Sequence, residues 1–190
     1  LMCAALDYAM ANNSITLVVG ESRMGKTVTA KYWKEKNNHG RSVYVIAPAY
    51  GGTKALLSDI ATAVGVNKNL SIVATHQAVL RAFNKNRILI VDEAHRLLPG
   101  DRRMNPVNLE ILRDIHDRTG AAVALIATQR FDTELKKSEY MFEQLLGRIG
   151  IRNKRNLIRH KARLAHIYCY QAISFQTRMN NAALGLHHNG

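Results

Sequence analysis

The sequence has few cysteines and no long apolar run. Its only two cysteines among 190 residues, Cys3 and Cys169, lie far apart and form no CxxC or Cys/His pattern. This argues against a disulfide framework and a zinc site, and it fits a reducing cytoplasm, where we expect the protein to act. Because the sequence contains no secretory leader and no run of about 18 apolar residues, we expect neither an exported nor a membrane protein.

Acidic residues are missing from the C-terminal part of the chain. No Asp or Glu follows Glu143, whereas eight of the 27 Lys and Arg residues do, and the formal net charge of the protein is +13. The eight are Arg148, Arg152, Lys154, Arg155, Arg159, Lys161, Arg163 and Arg178. Such an excess favours a polyanionic partner, with nucleic acid ahead of an acidic membrane surface. A solvated basic face or a dimer surface is the alternative.

The remaining composition is that of a folded globular protein. Hydrophobic residues make up 47% of the sequence and charged residues 22%, which are ordinary fractions. A chain of this length has room for one main α/β core with at most a small addition. We expect a principal domain over residues 1–150 and a basic C-terminal segment, poorly defined by its pattern, over 151–190.

Short apolar runs alternate with helical patterns along the principal domain. Strands are expected at 15–19, 42–47, 88–91 and 121–127, and a short one near 149–157. Helices are expected at 3–10, 27–36, 56–64, 72–83, 109–120 and 133–146. Because the strands are apolar on both faces, we predict a parallel sheet of about five strands between two helix layers, a three-layer αβα fold.

A glycine-rich segment between the first strand and the next helix matches the P-loop pattern GxxxxGK[ST]. It comprises Gly20, Glu21, Ser22, Arg23, Met24, Gly25, Lys26 and Thr27. In such a loop, backbone N–H groups and the positive end of the following helix bind nucleotide phosphates. We expect Lys26 to neutralise phosphate charge and the Thr27 hydroxyl to bind Mg²⁺. The alternative is a glycine-rich turn that binds no nucleotide.

Two carboxylates, Asp92 and Glu93, end the third strand about 66 residues after Lys26 and have the form of a Walker B element. We expect Asp92 to hold Mg²⁺ through water and Glu93 to activate the attacking water as general base. His95 would make a local hydrogen bond or contact the γ-phosphate. An acidic pair can also be structural, but the phosphate-binding loop upstream favours the catalytic interpretation.

Two later residues complete the predicted site. Thr128 follows the fourth strand, where a polar side chain would lie between the acidic pair and the γ-phosphate; the alternative for Thr128 is a helix cap. Arg148 lies between a predicted helix and a predicted strand and could reach the phosphate bound by a neighbouring subunit. A surface arginine or an ion pair is the alternative for Arg148.

Taken together, residues 20–27 and 91–95, Thr128 and residues 145–149 resemble an AAA+ ATPase, most closely the transposition regulators of the phage Mu B and TnsC type. The resemblance covers about residues 1–150. It implies an ATPase that uses ATP and Mg²⁺, assembles as a ring or helical filament on duplex DNA, and acts with a transposase. AAA+ modules usually end in a helical lid with a second sensor arginine. The resemblance therefore implies that the basic segment 151–190 could form part of a lid, although no sensor arginine aligns within residues 153–190.

DNA contacts in such assemblies come from loops that face the central channel. Tyr50 and Lys54 follow the second strand and offer a planar ring and a positive charge. Arg102 and Arg103, after the third strand, are further candidates. The competing interpretation is ordinary loop chemistry, since turns use glycines and arginines are often solvated.

Two other functions remain open from the sequence. The first is a different AAA+ role, such as helicase loading or secretion-linked ATPase work, with the same active site and another client. The second is an assembly protein in which ATP is a signal and hydrolysis is negligible. Glu93 argues against the second, because a general base serves no purpose without turnover.

Overall fold

Helices and strands alternate in the computed structural model, which describes residues 2–37, 39–50, 52–98, 107–137, 147 and 149–153. The strands are β1 (Ile15–Val19), β2 (Ser42–Ile46), β3 (Ile88–Asp92), β4 (Ala122–Ala127) and β5 (Ile149–Asn153). The α-helices are α1 (Met2–Asn12), α2 (Lys26–Lys36), α3 (Gly52–Val64), α4 (Ile72–Ala82), α5 (Val107–Thr119) and α6 (Gln129–Lys137). A 3₁₀ turn, η1 (Ala94–Leu97), follows β3.

The five strands form one parallel sheet in the order β2-β3-β4-β1-β5. Parallel neighbours need crossover connections, and the helices between successive strands supply them. The first strand in the sequence therefore lies inside the sheet, between β4 and the edge strand β5. This confirms the predicted α/β class and the parallel sheet of five strands.

Alternate residues of the strands enter two separate cores. On β3, Leu89 and Val91 pack with residues of α3, α4 and α5, whereas Ile88 and Ile90 pack with residues of α1 and α2. All four side chains are completely buried. Because a strand directs successive side chains to opposite faces, a sheet covered on both faces needs such a run of apolar residues. The predicted three-layer αβα fold is therefore confirmed.

Helix α6 begins earlier than predicted. Its first residue is Gln129 rather than 133, because the chain turns into the helix directly after β4, and the Phe131 N–H donates to the Thr128 carbonyl at 3.0 Å. Phe131 and Leu135, both fully buried, anchor the helix in the core. The predicted extension of this helix to 146 lies outside the described residues.

A short strand was expected near 149–157, and β5 lies there, pairs with β1 and forms one edge of the sheet. Residues 154–190, most of the predicted basic segment, lie outside the described residues. Within the part of the chain that the structure describes, no helix is long and apolar enough to cross a membrane.

Candidate active site

The phosphate-binding loop (residues 20–27), the acidic pair (Asp92 and Glu93) and Thr128 meet at the carboxyl edge of the sheet, where the parallel strands end. Gly20 follows β1, Asp92 ends β3, and Thr128 follows β4, which lies between those two strands. The Gly20 N–H donates to the Ala127 carbonyl at 3.2 Å, which ties the start of the loop to the end of β4. The carboxyl ends of parallel strands are where open α/β sheets bind ligands.

The loop has a backbone that glycine permits. Gly25 has φ 73° and caps the start of α2, where its carbonyl accepts the Thr29 N–H at 2.9 Å. Arg23 also lies in the left-handed region, at φ 63°, which non-glycine residues seldom adopt and which is often found at functional sites. At Gly20, an added Cβ would lie 3.4 Å from Cδ of Lys26. The absence of a side chain there leaves room for the lysine.

Lys26 places its ammonium inside the loop. Its Nζ donates to the carbonyls of Gly20, at 3.1 Å, and Glu21, at 2.7 Å. Burial lowers the pKa of Lys26, and the negative charges of Asp92 and Glu93 oppose that shift. The loop therefore holds a half-buried amine close to two carboxylates, in the position that a phosphate-binding lysine requires.

Asp92 links the two halves of the site. Its side chain is almost fully buried, at 2% exposure, and a buried carboxylate needs hydrogen-bond donors. Oδ2 accepts from the hydroxyls of Thr27, at 2.7 Å, and Tyr44, at 2.8 Å, while Oδ1 accepts the Glu93 N–H at 2.8 Å. The contact with Thr27 joins the phosphate-binding loop to β3.

Thr27 and Asp92 have the chemistry of a magnesium site. Their oxygens lie 2.7 Å apart, and Mg²⁺ takes oxygen ligands, usually one or two protein groups with water and phosphate. Among the described residues no group of three or more His, Cys, Asp or Glu side chains could hold a metal ion. The hydroxyl of Thr27 and the carboxylate of Asp92 fit a magnesium ion that takes its other ligands from nucleotide and water.

Glu93 has a different environment from Asp92. Its side chain is 36% exposed, and its Oε2 lies 3.4 Å from Nε2 of His95 and 3.9 Å from a guanidinium nitrogen of Arg96. The other terminal nitrogen of Arg96 donates to the Ala47 carbonyl at 3.2 Å. The backbone of Glu93 is left-handed, at φ 55°. A solvent-accessible carboxylate on a strained backbone is compatible with proton transfer to and from water.

The other predicted site residues have varied positions. Thr128 is half-buried and directly precedes α6, which suits both the sensor and the helix-cap interpretations. Tyr50 is 90% exposed shortly after β2. Lys54 lies on the first turn of α3 rather than in a loop, because that helix begins at Gly52. The predictions for Arg148, Arg102 and Arg103 concern residues outside those described.

Sequence reasoning missed Tyr44. It lies in the middle of β2, and its hydroxyl reaches Asp92 because β2 and β3 are neighbours in the sheet. Burial raises the pKa of Tyr44 well above its usual range, and its hydrogen bond to Asp92 adds to the shift. No signal in the sequence identified this contact, since it depends on strand order.

Part of the chain matches a known protein family in sequence. Residues 9–135 match the sequence profile of the family described as AAA domain. A putative ORC1-type DNA replication protein 1 of Thermoplasma acidophilum is 35% identical over 97 residues, which are 47% of this chain and 28% of that protein. A Walker-type ATPase of Pyrococcus abyssi superposes with a TM-score of 0.44 and 16% identity, over 67% of this chain and 43% of that one.

The family match spans the phosphate-binding loop, the acidic pair and Thr128, which are the elements that meet at the sheet edge. It covers about two thirds of the chain, whereas the chain spans well under a third of its curated relative. On the match and on the P-loop fold, the chain belongs to the AAA domain family of ATPases.

Proposed function

We propose that the protein hydrolyses ATP to ADP and phosphate with Mg²⁺ at the carboxyl edge of the sheet, where β1, β3 and β4 end. The observation that carries this proposal is the 2.7 Å contact between the Thr27 hydroxyl and the buried Asp92 carboxylate. This contact joins the phosphate-binding loop to the carboxylate at the end of β3. Together the two elements can bind both the phosphates and the metal ion, which neither could do alone.

Each residue then has a chemical role. The backbone N–H groups of residues 20–27 hold the β-phosphate, and the Lys26 ammonium exchanges its loop carbonyls for phosphate oxygens. Thr27 and Asp92 would hold the magnesium ion, which neutralises charge on the phosphates. Glu93 accepts a proton from the attacking water. Thr128 orients the γ-phosphate, and Arg148 stabilises the transition state in a neighbouring subunit.

We further propose that the substrate-bound protein assembles on duplex DNA and regulates transposition, as transposition regulators of the Mu B and TnsC type do. The net charge of +13 supports a polyanionic partner. Tyr50 and Lys54, both exposed beyond the carboxyl end of β2, would contact DNA, together with Arg102 and Arg103. In this proposal residues 1–150 form the ATPase module and residues 151–190 a basic segment or lid.

A role in DNA replication is the second candidate, because the curated relative from Thermoplasma is described as a DNA replication protein. Both candidates require DNA binding and differ in the client. If the gene is deleted in its host, a loss of transposition with normal DNA synthesis supports the first role. Impaired DNA synthesis supports the second.

DNA binding can be tested by gel shift with duplex DNA in ATP, in ADP and without nucleotide. The proposal predicts binding that requires ATP, is lost in Lys26→Ala and persists in Glu93→Gln. Lys34→Ala is the matched control, since it removes an α2 lysine that lies outside the phosphate-binding loop. Binding that ignores the nucleotide, or no binding at all, would remove DNA from the proposed function and favour a protein client.

A further inference from the structure

We propose that Tyr44 is a positioning residue for magnesium: its hydroxyl fixes the Asp92 carboxylate in the orientation that receives the ion beside Thr27. This inference rests on the proposed function, because it assumes that Thr27 and Asp92 hold Mg²⁺. Tyr44 itself acts only through Asp92. Its role is therefore distinct from that of the nucleotide-binding and metal-binding residues.

The hydrogen bonds of Asp92 define its orientation. Tyr44 of β2 and Thr27 of α2 donate to the same oxygen, Oδ2, at 2.8 and 2.7 Å. The Glu93 N–H holds Oδ1. A carboxylate with donors on both oxygens has little rotational freedom, and such outer contacts commonly orient metal ligands. If Thr27 turns toward a bound ion, Tyr44 is the remaining side-chain donor to Oδ2 that the structure describes.

Tyr44 is itself held in place from two elements. Its backbone pairs with Ile90 of β3, two residues before Asp92. The side chains of Tyr44 and Asp92 therefore lie on the same face of the sheet. Its ring packs against the core formed with α1 and α2. Lys31 of α2 places its Nζ 5.9 Å from the ring centroid, within the range of a cation–π contact.

This packing connects the tyrosine to the phosphate-binding loop. Lys31 lies four residues after Thr27, on the same face of α2, so the helix that carries the metal-binding hydroxyl also contacts the tyrosine ring. A change at the hydroxyl of Tyr44 therefore removes one donor to Asp92 and leaves the ring, its packing and its Lys31 contact in place.

The test is Tyr44→Phe, compared with Tyr32→Phe as the matched control. Tyr32 is also a half-buried tyrosine with a lysine, Lys36, 5.8 Å from its ring centroid. It lies on α2, and its hydroxyl is not among the described donors to Asp92. For each variant, binding of a fluorescent ATP analogue is measured at increasing Mg²⁺ and again in EDTA. Circular dichroism checks that each variant is folded.

We expect Tyr44→Phe to raise the Mg²⁺ concentration needed for half-maximal tightening of nucleotide binding by about 10-fold, the lower end for loss of an outer contact at a metal site. The affinity in EDTA should equal that of the parent, and Tyr32→Phe should match the parent throughout. Equal Mg²⁺ dependence in both variants, or tighter Mg²⁺ binding in Tyr44→Phe, would overturn the inference. A parent protein that binds the analogue without any Mg²⁺ dependence would instead overturn the proposed function on which the inference rests.

Discussion

Polar side chains join distant parts of the chain both at the carboxyl edge of the sheet and between α4 and α5. The two regions differ in how deeply the carboxylate is buried and in whether the backbone is strained. At the edge, Asp92 is buried with three donors, and Glu93 has a left-handed backbone. Between the helices, Nε2 of His76 lies 3.3 Å from Oδ2 of Asp114, with side chains 20% and 37% exposed. Arg118 also contacts Asp114, at 3.6 Å.

The two regions differ in what their polar contacts cost. Burying a carboxylate and straining a backbone both cost stability, and such features cluster at functional sites. The His76–Asp114 pair lies on regular helices, without backbone strain, and a partly exposed ion pair of this kind contributes little to stability. We therefore expect substitutions at the sheet edge to change nucleotide chemistry, and substitutions in the α4–α5 region to change stability alone.

The largest expected effect is that of Lys26→Ala. It removes the positive charge that faces the phosphates, and we expect ATP turnover to fall by about 100-fold or more. Turnover is measured by phosphate release, with Lys34→Ala as control. Because Lys26 is half-buried and makes its bonds within the loop, the thermal midpoint should change little. Unaltered turnover in a folded Lys26→Ala protein would show that the loop does not bind the reacting phosphates.

In the helix layer, we expect Leu112→Ala to lower stability and to leave nucleotide binding unchanged. Leu112 is fully buried on α5, and truncation of a buried leucine typically costs about 2–5 kcal/mol of unfolding free energy. Urea denaturation measures this loss. At temperatures where the variant remains folded, its Mg²⁺-dependent affinity for the ATP analogue should equal that of the parent. A loss of nucleotide affinity in the folded variant would show that the helix layer also contributes to nucleotide binding.

The smallest effect is expected at His76, and it depends on pH. Burial and Arg118 lower the pKa of His76 below its ordinary 6.5, while Asp114 partly opposes them. As the pH falls below 6.5, the unfolded chain therefore takes up a proton at this site before the folded protein does, and stability is lost until the folded pKa is passed. His76→Gln should flatten this decline in urea unfolding free energy. His39→Gln, at an exposed position, should retain it, and an unchanged slope in His76→Gln would refute the assignment.

Local patterns in the sequence predicted which motif residues lie at the carboxyl ends of the strands, but they did not predict the contacts that depend on strand order. The segment 20–27 and the pair Asp92 and Glu93 are short motifs between apolar strands and helices, so their positions at strand ends were predictable. The contact of Tyr44 with Asp92 arises because β2 neighbours β3, and alternation along the chain does not reveal which strands are neighbours. The start of α6 was misplaced for a related reason: the anchoring of Phe131 in the core is a tertiary effect.

The proposed ATP hydrolysis requires Glu93 to act as general base at the carboxyl edge of the sheet. Glu93→Gln is therefore compared with the parent in Mg²⁺-dependent ATP turnover and in affinity for the fluorescent ATP analogue. We expect turnover to fall by about 100-fold or more while affinity remains within a few-fold of the parent. Turnover that persists in Glu93→Gln, or a parent that binds the analogue and never hydrolyses ATP, would contradict this proposal.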